Sequence, residues 1–247
     1  MKQAYPDVLR SIPLAPRIKN SYSGFMDNLI SSPSGLVIEV VFDFVCPWCY
    51  LGIKRLRNLL NRRQDLDITL NWRPFLLNPD MPRTGIPMAD YLVRKFGAED
   101  RAKRLYSTIS ELGAVEGVSF DFAAIRRTPS SVDAHRLVYE AAKSGRADLL
   151  VMHIFNAHFV DGLDIGNVTV LAGLARQAGM DGDQASAFLA QGEGVEMVYA
   201  ENLRAHRLGI NGVPCFVIGG EHAISGAQES EVLERLIDLS AQSSKDY

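Results

Sequence analysis

Two cysteines with two residues between them, Cys46-Pro47-Trp48-Cys49, are the part of this chain best suited to chemistry. Thiols at that spacing close a small disulfide ring when the first sits at a helix start and the second lies one turn in. Proline at 47 suits the first helical position, where a missing N–H costs nothing. The free N–H groups and positive end of such a helix favour a thiolate at Cys46. A stabilised thiolate attacks disulfides and also leaves readily, which thiol–disulfide exchange requires. Cys46 is therefore assigned as nucleophile and Cys49, on the inner helix face, as the resolving thiol. Trp48 offers an apolar landing surface for substrate. Being uncharged, it points to an intermediate reduction potential.

The competing use of these thiols is a zinc half-site, in which Cys215 and a histidine would complete the ligand set. The sequence has no second Cys-x-x-Cys and no His-x-x-x-His pair. His153 and His158 lie five residues apart, a spacing that does not share one helix face. No metal is expected, and no organic cofactor. Glutathione enters only as a candidate co-substrate.

A second constellation is Gly209-Ile210-Asn211-Gly212-Val213-Pro214-Cys215-Phe216-Val217. A proline at the mouth of a strand, after Gly-Val, suits a constrained turn with a cis Val213–Pro214 bond. The free backbone groups of such a turn can pair with an extended substrate. Val213 and Pro214 thus join Pro47 and Trp48 as expected substrate-binding positions. Asp43, three residues before Cys46, either caps the strand end or relays a proton to Cys49. Cys215 either offers a third redox thiol or fills the core, as free cysteines commonly do.

The elements around these groups can be read from hydrophobic periodicity. Leu36 to Val45 is a β-branched and aromatic run, hence a buried strand. Cys49, Ile53, Leu56, Leu59 and Leu60 recur at helical spacing. Leu66 to Phe75 alternates as a second strand, so the first unit is strand–helix–strand with a right-handed crossover. The connector Asn78-Pro79-Asp80-Met81-Pro82 ends it. Residues 87–192 then read as helices, and Val195 to Leu208 as one more, with Gly209 at its C-cap. Cys215 to Ile218 and His222 to Ser225 form a hairpin around Gly219-Gly220, and a helix from Glu229 to Leu239 follows. Removing the helical block leaves βαβαββα. The expected division is an N-terminal extension at 1–34, an α/β domain built from 35–80 and 193–247, and a helical insertion at 81–192.

With 247 residues, 47% hydrophobic and 22% charged, the chain can bury a full core without disulfide or metal staples. A net charge of −3 argues against a nucleic-acid partner. Three cysteines, an odd number, do not make a secreted disulfide scaffold. Pro6, Asp7, Arg10, Pro13, Pro16 and Arg17 leave no apolar signal segment. The most apolar run, Leu36 to Val45, contains Glu39 and Asp43 and is too short to span a bilayer. A cytoplasmic protein without a membrane partner is expected. Residues 1–34, rich in Ser, Pro and Asn, form an arm that suggests exchange between subunits of a homodimer.

The segment Phe42-Asp43-Phe44-Val45-Cys46-Pro47-Trp48-Cys49-Tyr50-Leu51-Gly52 resembles the active-site segment of DsbA-like oxidoreductases, specifically the FrnE-like branch. The resemblance continues through Pro74 to Pro82, Ala134-His135-Arg136-Leu137, Gly209 to Phe216 and Gly226-Ala227-Gln228, covering about residues 36–240. It implies an α/β thioredoxin fold, a mixed central sheet flanked by helices, with a large all-helical insertion. It also implies a cis-proline turn at Val213-Pro214, and His135 and Arg136 facing the cleft. A structural histidine satisfied by backbone is the plainer use of His135. Two positions depart from the family: Ser130-Ser131 replaces an Asn-Thr-like pair, and Cys215 stands where Thr or Phe is common. The expected function is thiol–disulfide oxidoreductase or isomerase, acting on protein or small-molecule disulfides and recycled by a cellular thiol reductant. In a reducing cytoplasm it would reduce or reshuffle bonds. Two rivals remain: a glutathione-dependent isomerase or transferase related to 2-hydroxychromene-2-carboxylate isomerase, which usually carries Ser in place of the Cys pair, and a non-catalytic binding module on the same fold.

Overall fold

The computed structural model describes residues 35–97 and 99–243, so the expected extension at 1–34 lies outside the described residues. Its central sheet has the order β2-β1-β5-β6, from β1 (Leu36–Phe42), β2 (Ile68–Pro74), β5 (Cys215–Ile218) and β6 (His222–Ser225). β2 runs parallel to β1, whereas β5 and β6 are antiparallel, so the sheet is mixed. Helix α1 (Pro47–Arg62) makes the β1–β2 crossover. The insertion carries α2 (Met88–Phe96), α3 (Glu99–Val115), α4 (Val132–Ala142), α5 (Ala147–Phe159), α6 (Val168–Gln177) and α7 (Gly182–Ala190). Helices α8 (Val195–Arg207) and α9 (Ser230–Ser243) flank the returning hairpin.

Strand β1 is nearly all apolar because both of its faces are covered. Ile38, Val40 and Phe42 pack with Leu56 and Leu59 of α1 and with Leu233 and Ile237 of α9. Val41 points the other way, to Phe75, Cys215 and Ala205 of α8. The sheet is thus sandwiched between helices, as expected. Glu39, on a β1 with little polar character, is held by Arg73 at 2.7 Å.

Three details differ from the sequence expectation. β1 stops at Phe42, because Asp43-Phe44-Val45 turns so that the Cys46 N–H donates to the Asp43 carbonyl at 3.1 Å. The helical pattern after residue 87 breaks at Gly97, whose φ of 73° ends α2 and whose N–H donates to Val93 O. The insertion is also not wholly helical. A two-residue ladder pairs β3 (Ile86–Pro87) with β4 (Arg127–Thr128), too short to leave a periodic signal.

The insertion is seated on the sheet by aromatic rings. Tyr50 of α1 stacks on Phe155 of α5 at 5.2 Å, and Phe44 packs against Phe155 at 4.9 Å. His158, one turn beyond Phe155, is buried with Nδ1 3.4 Å from the Leu163 carbonyl. Burial pushes its pKa down to about 4, against the opposing pull of the Leu163 carbonyl, Asp164 and Asp43. The folded state therefore keeps His158 neutral, while the unfolded chain takes up a proton below its ordinary value of about 6.5. The associated stability is complete above that value and is lost as pH falls towards 4, by at most about 3 kcal/mol. Urea midpoints at pH 7 and pH 5 should show this fall in the wild type and a smaller one in His158→Gln; equal falls would refute it.

Candidate active site

Helix α1 begins where the chain leaves the Asp43 turn. Cys46 is its N-cap residue (φ −101°, ψ 109°) and Pro47 its first residue. No side chain caps the first turn and no acidic residue lies in it, so nothing in that turn competes with sulfur for the positive helix end. Cys49 lies one turn in, where its N–H donates to the Cys46 carbonyl at 3.0 Å. Both cysteines are buried, Cys46 at 5% exposure and Cys49 at none. Burial pushes the Cys49 thiol well up, and the neighbouring Cys46 adds to this. The two cysteines are thus chemically unlike: one caps the positive end of a helix, the other is a thiol held one turn in with its pKa raised.

The turn at 213–214 forms the facing wall. The Val213–Pro214 bond is cis. The Val213 carbonyl accepts from the Cys46 thiol at 3.7 Å. Pro214 is buried and Val213 half-buried, while Asn211 and Gly212 are exposed beside them. Pro47 and Trp48 are half-buried, with Trp48 packed on the main core. The turn at Val213-Pro214 is thus brought to the start of α1, where Pro47 and Trp48 follow Cys46.

Gly52 is what lets the two walls meet. A Cβ there would stand 2.9 Å from Pro214 Cγ and 3.2 Å from Ala227 Cα. A glycine on the buried face of an amphipathic helix costs about 1 kcal/mol relative to alanine, a signal of close packing that the sequence reading did not use. Arg55 secures the same seam, donating to the Ala227 carbonyl at 2.8 Å and to Glu116 at 3.2 Å. Gly52→Ala is expected to destabilise by about 1–2 kcal/mol despite its better helix propensity. Gly173→Ala in α6, where a Cβ meets nothing within 4 Å, should instead stabilise by about 0.5–1 kcal/mol. Chemical denaturation of both variants decides the matter, and a stabilised Gly52→Ala would show that the walls do not touch.

The auxiliary candidates separate. Cys215 pairs in register with Val41 and belongs to the α8 side of the sheet, opposite the core that contains Cys46 and Cys49. It is 1% exposed, and burial raises its thiol. That position suits a core residue rather than a third exchanging thiol, and it also keeps Cys215 from completing a zinc site. Among the described residues no group of three or more His, Cys, Asp or Glu side chains could hold a metal ion. Asp43 is fully buried, and its carboxylate accepts from Leu77 N–H at 2.7 Å and Val45 N–H at 3.4 Å. His135, 2% exposed, brings Nε2 to 3.7 Å from Asp43 Oδ1. Its ring packs against Phe42 and Phe44, which also touch each other, instead of lining an open cleft.

Arg136 does not face the cleft at all. It is fully buried and donates to the carbonyls of Phe188 at 3.0 Å and Leu189 at 3.2 Å, to that of Glu193, and to Asp133 at 2.6 Å. It closes the C-terminus of α7 and ties it to α4. Its sequence neighbour His135 turns towards Asp43 because adjacent helical residues point about 100° apart.

Comparison with known proteins agrees with this fold. The DSBA-like thioredoxin domain family matches residues 37–238. Over 207 residues the chain is 24% identical to the uncharacterized protein YwbO of Bacillus subtilis, covering 81% of this chain and 94% of that one. The structure of a probable DsbA oxidoreductase, SCO1869 of Streptomyces coelicolor, superposes with a TM-score of 0.76 at 28% identity, over 83% of this chain and 89% of that one. A 2-hydroxychromene-2-carboxylate isomerase structure shares the fold, with a TM-score of 0.65 at 18% identity, over 85% and 98% of the two chains. No helix among the described residues is long and apolar enough to cross a membrane.

Proposed function

Since the chain belongs to the DSBA-like thioredoxin domain family, we propose that it is a dithiol–disulfide oxidoreductase or isomerase with Cys46 as nucleophile and Cys49 as resolving thiol. The observation that carries this is the pairing of Cys46 at the uncapped start of α1 with Cys49 buried one turn below. The Cys46 thiolate attacks a substrate disulfide, forming a mixed disulfide and releasing one substrate thiol. Cys49 then attacks Cys46 sulfur, closing the Cys46–Cys49 disulfide and releasing the second substrate thiol. The backbone at Val213, whose carbonyl the Cys46 thiol gives up on reacting, and the side chains of Pro47, Trp48 and Pro214 receive the chain flanking the substrate sulfur.

No organic cofactor is needed for these steps, and glutathione serves as candidate co-substrate or reductant. A reducing, cytoplasmic setting would drive the cycle towards reduction or reshuffling of protein or small-molecule disulfides. An isomerase of the 2-hydroxychromene-2-carboxylate type shares this scaffold, but retention of both thiols favours exchange. Equilibration of the wild type in glutathione redox buffers should show a reversible Cys46–Cys49 disulfide by mass spectrometry, together with catalysed insulin reduction. Absence of both would leave a binding module on a redox fold.

A further inference from the structure

Among the described residues the two faces of the central sheet are covered unequally. Ile38, Val40, Phe216 and Ile218 belong to the core shared with α1 and α9 and are fully buried. On the opposite face the packed cluster is small: Val41, Phe75, Cys215 and Ala205 of α8. Strand alternation puts Val37, Glu39, Val217 and Ala223 on that same face, in the rows beyond Val41 and Cys215. Val37 and Val217 are only half-buried there, and Ala223 is exposed, as is Thr69 beside Val37. Arg204 of α8 reaches Glu39 at 3.9 Å and marks the border of the covered part. A sheet with apolar residues on both faces needs a packed layer on each. Here the second layer stops halfway.

The chain enters the sheet beside these open rows. The Leu36 N–H donates to the Asp67 carbonyl at 2.8 Å, which fixes the entry point one residue before Val37. Upstream in the sequence, Phe25, Met26, Leu29 and Ile30 recur at helical spacing, with Asp27 and Asn28 between them. Ser31-Ser32-Pro33-Ser34-Gly35 then supplies residue types suited to a reversal. Ile30 stands five positions ahead of Gly35, a reach of up to about 17 Å. Ala223 lies two strand spacings from β1, about 10 Å away. We propose that the open face is the docking surface for the chain's own residues 25–30, whose four apolar side chains cover Val37, Val217 and Ala223. Docking removes apolar surface of both parts from water, and the reach needs no second subunit. Val37 lies at the end of β1 remote from Cys46, so the inference stands apart from the exchange function.

The test is photocross-linking in the full chain, with benzoylphenylalanine replacing Ala223 and, in a second preparation, Thr69. Each preparation is mixed with isotopically heavy wild type before illumination. Mass spectrometry is expected to find residues 25–30 linked to either position, within one chain. The same group at Val115 of α3, which is 83% exposed, should not capture them. Phe25→Asp combined with Leu29→Asp should lower the yield from position 223 by about 10-fold or more, the factor that losing one buried apolar side chain corresponds to. Disulfide exchange by that double variant should stay at the wild-type rate. Absence of a link to residues 25–30 from both positions overturns the inference, as does equal capture from Val115 or an unchanged yield in the double variant. Links found only between light and heavy chains, with a dimer mass in sedimentation, overturn it in favour of a second copy on this face.

Discussion

Cys46→Ser is expected to lower disulfide exchange by at least about 10³-fold, whereas Cys49→Ala should arrest it as a stable mixed disulfide on Cys46. A serine hydroxyl at its ordinary pKa is a weak nucleophile, and no base within the first turn of α1 would activate it. Removing a group that works as part of a unit abolishes most of the unit's effect. Cys49→Ala leaves the helix end, the Val213 carbonyl and the attacking sulfur in place, but removes the only thiol beneath them. Mass spectrometry of Cys49→Ala after incubation with a disulfide substrate should therefore show one substrate adduct, located on Cys46. An adduct on Cys215, or turnover by Cys46→Ser, would reject the assigned roles. The same trapped adduct would identify the physiological substrate.

Arg136→Met is expected to cost about 3–5 kcal/mol of stability, the range for breaking a buried charge pair by removing one partner. The guanidinium is fully buried, bonded to Asp133 and to three backbone carbonyls at and beyond the end of α7. It also lies 5.1 Å from the Phe188 ring centroid. Methionine fills much of the volume but leaves those carbonyls and the Asp133 charge without it; exposed Arg83, at 3.3 Å, replaces little of the pairing. Arg136→Lys should recover part of the loss and not all, because an ammonium cannot reach the same fork of acceptors. Urea unfolding of both variants gives the comparison. A midpoint for Arg136→Met equal to the wild type would mean that the loop between α7 and α8 is held by other contacts.

Together these variants probe separate parts of the molecule. The cysteines act at the helix end, Arg136 acts through the insertion, and Gly52 acts where helix and turn meet. Loss of exchange without loss of stability is expected only for the first.

The sequence by itself determined the order of elements, the place of the dithiol between strand and helix, and the proline turn opposite it. Those features are local: a β-branched run, a helical period, a proline at a first helical position and a cysteine spacing each act within a few residues. The tertiary structure alone decided which side of the sheet each group occupies. Cys215 follows directly on Pro214, yet strand alternation sends its side chain to α8, away from the dithiol. His135 and Arg136 are neighbours in sequence, but one reaches Asp43 and the other closes α7, a split fixed by what packs against each face of α4. The Val213 carbonyl, the Leu77 N–H on Asp43 and the close approach at Gly52 are contacts across more than 30 residues of chain. Such contacts leave no periodic trace, because they depend on where distant backbone groups arrive and not on local residue preference.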